Sequence, residues 1–115
     1  MIDKLIERGF KLRNTAHLAH WSATGAGSFA RHEALGEFYE ELITQLDKYV
    51  EAYQGAFGVA VKEPAEDATE SMRKDMLWIT EHRGEIARGV PALENILDEL
   101  VALHLRTLYK LENLR

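Results

Sequence analysis

The chain has 115 residues, 46% of them hydrophobic and 29% charged, with a net charge of −5 and no cysteine. That length and balance suit one small globular domain, residues 1–115, able to bury a core without covalent staples. Disulfides, thiolate metal sites and cysteine catalysis are excluded, and the acidic balance argues against DNA as a partner, because Lys and Arg supply most of the affinity for phosphates.

The periodicity of apolar residues predicts an all-α chain of four helices, at about 2–21, 29–54, 67–88 and 91–114. The N-terminal stretch from Met1 to Arg8 is amphipathic and charged, with no apolar run of signal-peptide or membrane length. A cytoplasmic protein away from the membrane is expected. The first helix carries Leu5, Gly9, Leu12, Ala16 and Ala19 on one face, with Ile6, Phe10 and His17 beside them. His17 and His20 share a face at i,i+3, so His17 could join a metal site, but packing or exposure to water is the simpler reading.

Gly25, Ala26 and Gly27 interrupt the pattern, and an antiparallel hairpin centred near Ala26 sets His20 level with His32, twelve residues on. The second helix is expected to start after Ser28 as its N-cap and to end where Gly55 and Gly58 punctuate the chain. Leu35, Tyr39, Leu42, Leu46, Tyr49 and Tyr53 form its core stripe, and His32 lies one step earlier in the same series. At about 100° per residue, Asp47 lies roughly 60° and Glu51 roughly 100° around the helix from His32, on the flank of that stripe. The stretch 55–66, with two glycines and Pro64, suits either a crossover along a bundle or a loose antiparallel connection.

The third helix opens on Asp67 and Glu70 in a capping arrangement, shows Met72, Met76, Ile79 and Ile86 on one face, and closes at Gly89. Pro91 fits the first turn of the fourth helix, where a missing amide hydrogen is harmless. Leu93, Leu97, Leu100, His104, Leu108 and Leu111 make its stripe, with His104 expected to be buried or interfacial. Lys110 and Arg115 complement the helix dipole in the last turn.

His20, His32, Asp47 and Glu51 are the candidate site. Imidazole with carboxylate suits a borderline divalent ion such as iron, zinc or manganese. Each residue alone has a plainer reading, since a single histidine is usually structural and an Asp/Glu pair at i,i+4 is usually solvated. Fifteen helical residues separate His32 from Asp47, roughly 22 Å at 1.5 Å per residue, so one chain cannot bring all four together. Two chains related by a two-fold axis, with their second helices antiparallel and crossing near Tyr39 and Glu40, would set His32 of one beside Asp47 of the other. An isologous contact of this kind builds two identical sites. A homodimer through the second helix is therefore expected, with a larger oligomer open. No Glu-x-x-His pair occurs, since Glu99 and His104 are five apart, and no nucleophile elbow or phosphate-binding glycine loop is present.

His20-Trp21, Gly25, His32, Asp47 and Glu51 resemble, spacing for spacing, the signature of the Dps-like mini-ferritins. The resemblance implies a ferritin-like four-helix bundle and an inter-subunit site at which ferrous iron is oxidised by peroxide or dioxygen. It makes His20 and His32 the imidazole ligands, Asp47 and Glu51 the carboxylates of the partner chain, and Trp21 the aromatic neighbour. Where that family carries an acidic residue one turn after its second histidine this chain has Gly36, which removes a potential bridging ligand. Phe29 is one position out of register with the family's phenylalanine, and Ala52 replaces an arginine. The alternative function is a non-enzymatic structural or adaptor homodimer in which iron chemistry has been lost.

Overall fold

The computed structural model describes residues 1–114, so Arg115, expected in the last helical turn, lies outside the described residues. Among the described residues the chain is all-α, with no strand and with five helices: α1 (Ile2–Ser22), α2 (Ser28–Phe57), α3 (Ala68–Glu81), α4 (Arg83–Ala87) and α5 (Pro91–Asn113). They form two compact units, Met1–Lys62 and a second that starts at Glu63.

The first unit is the antiparallel hairpin of α1 and α2. Gly25 and Gly27 turn the chain with φ of 91° and 77°, values that side-chain-bearing residues rarely adopt. Gly27 occupies the cap position and Ser28 is already helical, so the expected serine N-cap is not formed. The left-handed glycine takes that place because the chain enters the helix straight from the turn. α2 also outruns its expected end. It passes through Gly55 and stops at Gly58, where φ is 89° and the amide donates to the Gln54 carbonyl. Small residues let the two helices approach. Gly9 and Ala16 of α1 are buried, and a Cβ at Gly9 would lie 2.9 Å from Cδ2 of Leu46, the buried residue at the middle of α2.

In the second unit the Asp67 carboxylate accepts the Glu70 amide at 3.0 Å, the expected cap. The helix expected over 67–88 is a correction: it is broken at His82 into α3 and α4. His82 leaves helical geometry with φ −105° and ψ 13°, and its ring Nδ1–H donates to the Trp78 carbonyl at 2.9 Å. Its neighbour Arg83 is drawn onto α5, where it forks on the Asp98 carboxylate at 2.7 and 2.8 Å and also pairs with Glu94. α4 ends through Arg88 and Gly89, both at positive φ, and Pro91 opens α5. Ala87 and Leu108 are buried here, while His104 is half-buried and donates Nδ1–H to the Leu100 carbonyl. An Arg73–Glu112 ion pair ties α3 to α5.

Two expectations follow for stability. Leu46→Ala removes the largest buried side chain of the first unit and should destabilise the protein by about 2–4 kcal/mol in urea unfolding. In the second unit, the Arg83 guanidinium holds the Asp98 carboxyl below its usual value of 3.8, first through its hydrogen bonds and then through its charge. A carboxylate with a lowered folded pKa stabilises the fold above its unfolded value and ceases to do so as pH falls through the folded one. Arg83→Ala should therefore melt below wild type at neutral pH, and the gap between the two melting temperatures should close as the pH is taken below the carboxylate range.

Candidate metal site

The hairpin brings His20 and His32 into direct contact. Their rings stack with centroids 3.6 Å apart and planes 19° from parallel. Nδ1 of His20 lies 2.5 Å from the His32 carbonyl oxygen, and Nδ1 of His32 lies 2.7 Å from the His20 carbonyl oxygen. A carbonyl oxygen can only accept, so both Nδ1 atoms carry the hydrogen. Each neutral ring then keeps its lone pair on Nε2, the tautomer in which histidines commonly ligate metals through that nitrogen.

The spacing explains the reciprocity. The two residues flank the Ala26 turn symmetrically, and the His20 carbonyl is among the last of α1, where no amide of the same helix can reach it. His32 satisfies it from α2. The ring of His20 in turn lies against Gly36, where a Cβ would fall 2.9 Å from Cε1 and 3.1 Å from Nδ1. Gly36, which reads in the sequence as an absent acidic ligand, is in the structure the floor under an imidazole.

Aromatic rings continue from the pair along the hairpin. Tyr39 meets His20 edge-on at 5.5 Å and stacks on His17 at 4.0 Å, while His17 also meets Trp21 at 4.0 Å. The Arg13 guanidinium sits over the Tyr39 ring, 5.3 Å from its centroid. Packing is thus the role of His17, and Arg13 is the member that sequence reasoning missed. Its spacing of four residues from His17 was the available signal.

Asp47 and Glu51 are exposed on α2, on the same unbroken helix as His32, and do not join the histidines within the chain. Among the described residues no group of three or more His, Cys, Asp or Glu side chains is placed so that it could hold a metal ion. One chain thus offers two imidazoles in contact and, about four turns away, two carboxylates facing outward. His32 is exposed as well.

Loss of water contacts, then the positive charge of Arg13 and that of His20 whenever its ring is protonated, lower the pKa of His17 below its usual 6.5, against a weaker opposing pull from Glu40. A histidine depressed in this way favours the fold while it is neutral. Its contribution is complete above the unfolded value and is lost as pH falls toward the folded one. Arg13→Ala should raise the His17 pKa, measurable as an upward shift in the pH midpoint at which its ring resonances titrate in NMR, and should reduce the loss of stability on acidification below pH 6.5.

No helix among the described residues is long and apolar enough to cross a membrane. The profile of one protein family matches residues 20–111, a span that begins at the first histidine of the pair and runs into the last turns of α5. No curated protein matches the chain, and no solved structure does. The match covers most of the sequence, and the chain belongs to that family, DUF5856, described as a family of unknown function.

Proposed function

We propose that the protein is a Dps-like iron-binding protein with a ferritin-like four-helix bundle fold, in which α3 and α4 together count as one bent helix. Its substrate is ferrous iron, held between His20 and His32 of one chain and Asp47 and Glu51 of a second. The observation that carries this reading is the reciprocal bonding of His20 and His32, which fixes both rings in the ligating tautomer with Nε2 available. The donor set fits the substrate. Two neutral imidazoles and two carboxylates form a mixed nitrogen and oxygen environment that suits a borderline ion, and two carboxylates balance its charge of +2. Zinc or manganese would fit the same donors.

Association with a second copy is supported by what the chain leaves uncovered. Phe10, Leu18 and Trp21 of α1, and Phe29, Phe38, Tyr49 and Phe57 of α2, are all exposed, apolar surface for the bundle and a second copy to cover. The residues in the proposed roles act by position. His20 and His32 hold the ion from one side, the carboxylates complete the set from the other, and peroxide or dioxygen takes the electron. Trp21, the aromatic neighbour in this reading, packs on His17. The second reading is a non-enzymatic structural or adaptor homodimer, favoured by Gly36, which leaves the site without a further acidic ligand.

Anaerobic titration with ferrous iron should saturate at one ion per chain, with oxidation on addition of peroxide, and His32→Ala should abolish both. Mixing subunits tests the sharing. His32→Ala and Asp47→Ala homodimers should each be inactive, whereas a co-refolded heterodimer regains one intact site of two. Absence of iron binding in a wild-type dimer would establish the scaffold reading instead, and a monomer by solution mass would overturn both.

A further inference from the structure

We propose that Gly36 is the positioning residue of the histidine pair: its lack of a side chain seats the His20 ring against α2, and through that ring it sets the tautomer of both imidazoles. A glycine inside a long helix is unfavourable relative to alanine, so it calls for a local reason. α2 contains a second interior glycine for comparison. A Cβ at Gly55 would meet nothing within 4 Å, whereas one at Gly36 would meet three atoms of the His20 ring.

Helix geometry explains why position 36 is the sensitive one. A helical carbonyl points along the axis toward residue i+4, so a ring that donates to the His32 carbonyl must lie over residue 36. The ring has little freedom to retreat. It is stacked on His32 and touched edge-on by Tyr39, and a Cβ 2.9 Å from Cε1 would displace it from the bond to the His32 carbonyl. Once that bond is broken, the His20 hydrogen is free to sit on either nitrogen, and the matching bond from His32 loses its stacked partner. An acidic side chain at 36 would act in the same way. It would dislodge an imidazole before it could add a carboxylate.

The tautomer lock stands on geometry alone, and only its consequence for metal binding rests on the proposed function. The test uses the metal-free, nitrogen-15-labelled full chain, with long-range proton–nitrogen correlations of the histidine rings recorded at a pH where the rings are neutral. Wild type should show protonated Nδ1 and bare Nε2 for both His20 and His32. Gly36→Ala should shift His20 toward the mixed-tautomer pattern of a free imidazole while helix content is kept, and Gly55→Ala should change nothing. A Gly36→Ala spectrum identical to wild type overturns the proposal.

Should Gly36→Ala fail to fold, the double variant His20→Ala/Gly36→Ala removes the ring that the new methyl would strike. It should fold and melt like His20→Ala, and a double variant that remains unfolded also overturns the proposal. Titration with zinc alone separates the two readings. Gly36→Ala and Gly36→Asp should each weaken zinc binding at least tenfold, and tighter binding by Gly36→Asp overturns the proposal. If wild type binds no zinc or iron while the tautomer shift appears as expected, the positioning role is upheld and the metal reading fails.

Discussion

The pair of hydrogen bonds exchanged by His20 and His32 governs the first unit. Each ring gives its Nδ1 hydrogen to the other residue's carbonyl, so neither bond forms properly unless the two helices are level to within a fraction of a turn. The register of α1 on α2 is thereby pinned at the turn end. Gly9 against Leu46 pins it again toward the middle, by contact in place of hydrogen bonding. Between these points the chain needs only small or flat residues on α1, and Ala16 and His17 meet that need, the latter with its ring laid on Tyr39.

The same pair also satisfies an end of the helix. Terminal helical carbonyls have no amide of their own helix to accept, and the donor that reaches the His20 carbonyl is a side chain from the neighbouring helix. A residue recruited for that task is held by its backbone partner whether or not a ligand is present. In the neutral ring, the other nitrogen is then the one that carries no hydrogen. Capping and preorganisation are here one interaction.

Much of this was legible in the sequence because it is local. The glycines of the turn, the Asp67 cap, Pro91 at the start of α5 and the level placement of two histidines around Ala26 all follow from backbone preferences or from counting. What escaped depends on partners distant in the chain. The break at His82 has only Gly84, two residues on, to announce it, and a lone glycine within a helical pattern does not fix a break; its companion is Arg83, reaching eleven and fifteen residues ahead to Glu94 and Asp98. Ser28 has the right chemistry for a cap, but the left-handed glycine before it already occupies the position. Gly36 is the sharpest case. In one dimension it is only a residue of the wrong type, and its meaning depends on an imidazole sixteen positions earlier folding back over it.

The separation of the two halves of the proposed site along one rigid helix has a thermodynamic consequence. A chain by itself offers the ion two nitrogens, and the carboxylates that would complete the set lie about four helical turns away on α2. On the proposed reading, an ion held by both chains binds the pair of chains more tightly than the single chain, and by linkage it must strengthen their association by the same factor. Iron affinity should then rise with protein concentration until dimerisation is complete. A scaffold whose polar residues only set the two-fold register has no such coupling, because its association is indifferent to the ion. On the metal-binding reading, the separation that keeps a single chain from closing the site would also make metal binding and assembly report on each other.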